Sequence, residues 1–437
     1  MTTHEIVQEE ELEKIKKSVL ISVFITIFID LIGFGMFIPI LPILAREFGS
    51  TDAQAALLGT YYSLANMAAV LILGRISDKV GRKKVLLISI AIASVAQLGA
   101  GLAQSYFILV ITRIIAGFSC GNLPAAQSAI ADITTPQERT KYMTIIGLAF
   151  GAGFALGPII ASGVLLLCES FDFLKTHHFL AIASFSALLN LLNLLYVTFK
   201  MPETHRSYAQ GKVRAIVQKV LLNQPKEYEF KGGFFRHLKN IVKTPGFIAI
   251  LSITFLQIFA MIGIETLMPL FLKDAFQLSD VFVYSTYIFL GLCMLFTNGY
   301  LSKVFFLKFG DIKTLQFGLF FIFLGVILIP IIAPHSLLLS VCLFFFALGV
   351  ASCNPALMGI TSKITSVENQ GFAFGITQSV GSLARVIGPA FMGIIYETGM
   401  GIHSLTKVNS LYISGVIMMI GLVVNLYFFK NFEKKSS

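Results

Sequence analysis

The chain contains no tryptophan, and only 13% of its 437 residues are charged. A soluble domain carries about 25% Asp, Glu, Lys and Arg, so a water-soluble globule of this size is excluded at the outset. Cysteine is scarce and dispersed: the five at positions 120, 168, 293, 342 and 353 include no Cys-x-x-Cys pair. That leaves neither a disulfide framework nor a zinc site. A phosphate-cradling Gly-x-x-x-x-Gly-Lys-Ser/Thr loop is missing, which argues against ATP-driven work. With no His/Cys cluster and no nucleophile elbow, the sequence offers neither enzymatic chemistry nor a seat for a metal or organic cofactor. What fills the chain instead is apolar. Hydrophobic residues make up 56% of it, Phe alone occurs 41 times, and the mean hydropathy is +0.82.

Apolar stretches of about 20 residues are long enough to cross a bilayer as helices. Twelve are expected, near 18–44, 54–74, 85–104, 106–131, 141–167, 179–199, 246–272, 282–302, 314–333, 337–361, 371–396 and 409–429. Residues 1–17 run into the first span without a small-residue cleavage site, so that span is expected to be retained. The chain divides into an N-terminal six-helix bundle (1–199), a cytoplasmic linker (200–245) and a C-terminal six-helix bundle (246–437). With both termini inside, 27 of the 33 Lys and Arg residues fall on the cytoplasmic side, four fall outside, and two lie within spans. The net charge of +10 is therefore topogenic, and nucleic acid drops out as a partner. Within the linker, Val213, Ile216, Val217, Val220 and Leu221 share one helical face, and Phe234, Phe235, Leu238, Ile241 and Val242 repeat the pattern. Both read as amphipathic helices on the inner membrane surface.

The segment Gly74-Arg75-Ile76-Ser77-Asp78-Lys79-Val80-Gly81-Arg82-Lys83-Lys84 carries more than a topogenic signal. Cations alone would set orientation. Gly74 and Gly81, which permit close approach or tight turns, and a lone Asp78 among cations are not needed for that. The pattern Gly-x-x-x-Asp-x-x-Gly-Arg-Lys resembles the loop between the second and third helices of the major facilitator superfamily. That resemblance implies an all-α membrane protein of 12 helices in two pseudo-symmetric six-helix bundles. It also implies that Gly74, Asp78, Gly81, Arg82 and Lys83 form a conformational latch, the acid pairing with a basic residue and facing a helix end of the opposite half. A weak internal repeat agrees with two halves: Gly157-Pro158 of span 5 is echoed by Gly388-Pro389 of span 11, and 299–311 is a degraded echo of the 74–84 segment.

Ionisable residues inside spans are costly, by about 2.5–3.5 kcal/mol each at a helix centre, and need partners. Asp30 begins Asp-x-x-Gly-x-Gly-x-x-x-Pro-x-Leu-Pro in span 1, where Pro39 and Pro42 break the hydrogen-bond ladder near the outer end. This pattern is similar to span 1 of the tetracycline/proton antiporters. Arg113 lies about 12 Å inside span 4 at 1.5 Å per residue, too deep to snorkel easily. The resemblance gives an arginine at this place a role in proton coupling, with Asp30 as a possible partner. In span 5, Gly147, Gly151, Gly153 and Gly157-Pro158 resemble the antiporter helix motif, with Ala161 and Ser162 standing where two glycines are usual. Span 11, with Gln378, Gly381, Arg385 and Gly388-Pro389, looks like the corresponding span of the same drug-antiporter group. Glu265 in span 7 either draws cationic substrates to a cavity mouth or caps a polar outer surface. Asn66, Asn122, Gln127, Gln257, Asn354 and Gln378 suit either a substrate cavity, which Arg385 would also line, or interhelical hydrogen bonds.

The resemblance implies a secondary active transporter of the drug/proton antiporter group, exporting drugs or other small amphipathic molecules by alternating access. The proton is the coupling ion, and no cofactor is expected. The expected partners are the lipid bilayer and a small-molecule substrate, the expected state is a monomer, and the expected location is the inner (plasma) membrane with both termini cytoplasmic. A metabolite or siderophore carrier, or a membrane sensor that binds without transporting, would share these features.

Overall fold

The computed structural model describes residues 3–134, 136–171, 177–205, 207–211, 213–214, 217–218, 241–332, 336–365, 370–398 and 409–429. Helices are the only regular elements among them. They are α1 (Thr3–Phe37), α2 (Leu41–Glu47), α3 (Asp52–Val80), α4 (Arg82–Gly101), α5 (Tyr106–Ser119), α6 (Leu123–Ile133), α7 (Pro136–Glu169), α8 (His178–Lys200), α9 (Phe247–Phe276), α10 (Asp280–Phe296), α11 (Ser302–Ile332), α12 (Ser336–Ile364), α13 (Gln370–Thr398) and α14 (Asn409–Phe429). A 3-10 turn, Cys120–Asn122, joins α5 to α6, and a π segment, Thr297–Leu301, joins α10 to α11. Among the described residues, eleven helical spans are long and apolar enough to cross a membrane. The twelfth expected span, 282–302, is shorter and reaches its length only with the π segment.

Three boundaries differ from the sequence expectation. Span 1 does not run to residue 44: α1 stops at Phe37 and resumes as α2, because proline at 39 and 42 lacks the N–H that would continue the ladder. The 74–84 segment is not a loop. Helix α3 continues to Val80 and α4 starts at Arg82, so the whole turn is Gly81, held at φ 106°, a backbone angle that only glycine adopts without strain. Between spans 8 and 9, where a loop is expected, α11 already begins at Ser302 and is interrupted at Gly310 (φ 73°). Of the linker helices, the described residues of 211–218 are helical and Val217 is buried. The second, 234–242, lies outside the described residues except for Ile241 and Val242, which are helical; Ile241 packs with Phe247 and Ala373.

The chain forms two compact units, residues 1–37 with 61–229 and residues 38–60 with 230–437. In the first, α1 packs on α7 and α8, and α4 packs on α5 and α8. Small residues set these distances. Gly35 of α1 lies against Gly157 and Pro158 of α7: a Cβ on Gly157 would sit 2.7 Å from the Gly35 Cα. Gly153 is as tight against the Phe28 carbonyl, whereas Gly151 has nothing within 4 Å. Gly147 lies on the same helix. Between α4 and α8, Gln97 Oε1 accepts from Ser186 Oγ and from Asn190 Nδ2, all three side chains buried.

In the second unit, α9 packs on α13 and α14, and α11 on α12 and α14. Phe305, Phe309, Phe317, Phe321 and Phe345 stack through the α11–α12 layer. The 38–60 hairpin is fastened here by charge. Arg46 donates to both carboxylate oxygens of Asp274 (2.8 and 2.6 Å) and, through Nε, to Asp52 (2.6 Å), while the Tyr396 hydroxyl donates to Asp274 at 2.8 Å. Burial opposes the Arg46 charge, but the two carboxylates outweigh it and hold its pKa above the usual range. Ala53 N–H donates to Glu397, and Gly393 gives the close approach that brings α13 against Ala53 and Ala56.

Candidate functional site

Asp30 and Arg113 are both buried, 5% and 4% exposed, yet they do not form an ion pair. The Asp30 carboxylate instead accepts a hydrogen bond from Asn122 Nδ2 at 2.8 Å. The Arg113 guanidinium lies over the Phe37 ring, 4.6 Å from its centroid. Phe37 is seven residues along α1 from Asp30, about 10 Å at 1.5 Å per residue. The expected pairing of Asp30 with Arg113 is therefore replaced by two layers, Asp30–Asn122 and, two helical turns on, Phe37–Arg113.

The backbone explains the layering. Asp30, Phe34 and Phe37 repeat at i, i+4 and i+7 and share one face of α1. Helix α5 is drawn tightly against α3 at Gly117, where any Cβ would strike the Tyr62 carbonyl, and Asn66 Nδ2 donates to the Gly117 carbonyl at 3.3 Å. Between the two layers, Phe34 packs against Tyr62 (5.0 Å between centroids) and Phe154 (6.3 Å). Asn66 and Asn122 thus serve as hydrogen-bonding groups between helices.

The 74–83 segment forms one charge network centred on Arg82, whose side chain is 9% exposed. Its guanidinium donates to Asp78 and to Ser77 Oγ, and through Nε to Asp132 at 3.2 Å. The local pairing expected of Asp78 is present. Two partners escaped the sequence reading. Asp132 at the end of α6 is the second acid of Arg82. Glu203, just beyond α8, accepts from the backbone N–H of Arg82 (2.9 Å) and Lys83 (3.2 Å). A carboxylate there satisfies the first free N–H groups of α4 and meets the positive end of its dipole. It fits because Gly81 has no side chain: a Cβ there would collide with the Glu203 carboxylate. Lys83 Nζ donates to the Thr198 carbonyl at 2.7 Å, and Gly74 is in ordinary contact with Pro124. The sequence signal for Glu203 was its place immediately after an apolar span, three residues past the final Lys200.

In the second unit, Gln257 Nε2 donates to Asn354 Oδ1 at 3.4 Å, and the Gln257 Oε1 and Thr254 Oγ1 atoms, both buried, have no hydrogen-bond partner among the described residues. Glu265 on α9 makes no ion pair within 4 Å among the described residues and has the Arg385 guanidinium within electrostatic reach. Its backbone carbonyl accepts from the Tyr287 hydroxyl at 3.4 Å. Arg385, Asn354 and Gln378, with Gln127 of the first unit, are exposed side chains. Asp311, in the echo of the 74–84 segment, pairs with Lys363 at 2.7 Å. Among the described residues no three His, Cys, Asp or Glu side chains gather as metal ligands would.

The chain is 27% identical over 417 residues to the tetracycline resistance protein, class H, of Pasteurella multocida, covering 94% of this chain and 96% of that one. It is 27% identical to multidrug resistance protein 1 of Bacillus subtilis, over 87% of this chain and 91% of that one. Among solved structures, a bacterial homolog of the human lysosomal transporter Spinster superposes with a TM-score of 0.74 at 16% identity, over 95% of this chain and 98% of that one. The family model described as Major Facilitator Superfamily matches residues 23–334 and 283–437. The chain is a multi-pass membrane transporter, not an enzyme, and belongs to the Major Facilitator Superfamily.

Proposed function

We propose that this protein is a proton-coupled antiporter of the plasma membrane that exports drugs or related amphipathic molecules. The observation that carries this reading is Asp30, a carboxylate buried within an apolar helix, held by a neutral amide and by no cation among the described residues. Such a group is costly when charged, and protonation removes that cost. The relatives named for tetracycline and multidrug resistance support export rather than uptake.

In this mechanism the two halves expose a central cavity alternately to either side. Proton entry neutralises Asp30 and resets the cavity. Inward proton movement then drives outward substrate movement, with the membrane potential contributing about 2.3 kcal/mol per charge per 100 mV. Both termini and the basic linker lie in the cytoplasm, following the distribution of Lys and Arg. The Asp78–Arg82–Asp132 network, with Glu203 on the backbone beside it, acts as a latch on the cytoplasmic side.

Asp30→Asn is expected to abolish uphill, proton-driven transport in proteoliposomes while substrate exchange without a gradient persists. Accumulation at the normal rate would place the coupling group elsewhere. For the latch, Asp78→Asn and Glu203→Gln are each expected to shift the population toward the inward-open state by about 1–3 kcal/mol, typical of coupling energies. Transport should fall several-fold at normal membrane abundance. Labelling of a Gln127→Cys reporter in a cysteine-free background should rise from the cytoplasmic side. Unchanged labelling and flux would reduce the segment to a topology signal.

Glu265 is expected to favour cations, because a carboxylate away from bulk water attracts positive charge more strongly. Glu265→Gln should therefore slow transport of the cationic dye rhodamine 6G several-fold more than that of neutral Nile red. Equal slowing of both would leave Glu265 a structural role.

A further inference from the structure

We infer that Arg113 and the aromatic rings beside it form a subsite for the carboxylate of an aromatic substrate. The inference rests on the transport reading above and names the substrate class. Arg113 is 4% exposed, and its Nε and Nη2 atoms are buried with no hydrogen-bond partner among the described residues. A buried guanidinium without an anion is a costly arrangement. These two nitrogens lie on the same edge of the guanidinium, so their N–H bonds run parallel at the spacing of two carboxylate oxygens, the geometry of a bidentate arginine–carboxylate pair.

The protein's own acids do not fill this place. Asp30 is bound by Asn122 two helical turns away, and no salt bridge to Arg113 occurs among the described residues. Around Arg113 the described groups are aromatic rings, with the Cys120 thiol and the Tyr62 hydroxyl within electrostatic reach. Phe37 lies under the guanidinium at 4.6 Å, and Phe34, Tyr62 and Phe154 pack together on the Asp30 side of Phe37. The Phe37 face accounts for one surface of the cation but leaves the in-plane donors of Nε and Nη2 without an acceptor. A planar aromatic acid matches both features: its ring meets Phe34 and Tyr62, and its carboxylate meets the free edge of Arg113. The proton site and the anion subsite then occupy separate layers of the same unit, so a substrate acid reaches Arg113 without displacing the Asp30–Asn122 bond.

The test is equilibrium dialysis of the purified full-length protein against the aromatic keto acid norfloxacin and its ethyl ester, which differ only at the carboxylate. The wild type should bind the acid at least about tenfold more tightly than the ester, the size of one charge-assisted bond. Arg113→Gln should erase that preference by weakening the acid about tenfold while ester affinity stays within about twofold. Retained ester binding also shows that the variant is folded. Arg113→Lys, which keeps the charge but loses the paired N–H edge, should retain only part of the preference. If the glutamine variant does not fold, the wild-type preference and the lysine variant decide. A wild type without preference for the acid, or variants that weaken both ligands equally, would overturn the subsite. Because dialysis involves no gradient, loss of proton-driven transport in Asp30→Asn bears on the antiport reading alone.

Discussion

A charged side chain inside hydrocarbon has to be held by something, and the arrangement of this protein follows from how each such charge is held. At the membrane surface the solution is dense pairing. Arg82 is shared by Asp78 and Asp132, and Glu203 covers the two exposed N–H groups that start α4. On the 38–60 hairpin, Arg46 is shared by Asp52 and Asp274, with Tyr396 closing the set. Deep within the spans the pairing is deliberately incomplete. Asp30 has an amide in place of a cation, and Arg113 has a ring in place of an anion. Fully paired charges fasten elements together, whereas Asp30 and Arg113 are the incompletely satisfied charges on which the proposed proton coupling and anion subsite rest.

Glycine makes both solutions possible. Gly81 permits a one-residue turn and leaves room for the Glu203 carboxylate, so the charge network around Arg82 depends on a missing side chain as much as on its charges. Gly117 lets α5 press on the backbone of α3, which fixes the depth at which Arg113 sits. Gly35 and Gly157 meet directly, so the span 1 and span 5 motifs share one close helix contact, while Gly33 packs toward Gln97 and Ser186. Proline at 158 adds a freed backbone position beside that contact.

Much of this was legible in the sequence because bilayer thickness and the cost of buried charge leave few options. The spans and the all-helical class follow from length and hydropathy, Asp30 and Arg113 stand out as charges misplaced within spans, and Asp78 stands out through the resemblance of its motif. What was not legible is pairing between distant positions. Nothing local to Asn122 marks it rather than Arg113 as the partner of Asp30; that choice is made by the register of α1 against α5 and the following turn. Glu203 and Asp132 looked like ordinary polar residues at span ends, and only the fold brings them to Arg82. The break after Phe37 was signalled by two prolines, but the attachment of the hairpin through Arg46 and Asp274, 228 residues apart, was not.

The central claim is that proton movement drives substrate movement in the opposite direction. The most direct measurement is accumulation of ethidium, a permanently charged cation that a pH gradient alone does not trap, in proteoliposomes with an imposed gradient. The account predicts that ethidium concentrates inside when the lumen is acidic and that the accumulation collapses when nigericin dissipates the gradient. Accumulation that ignores the gradient, or that requires an alkaline lumen, would contradict it.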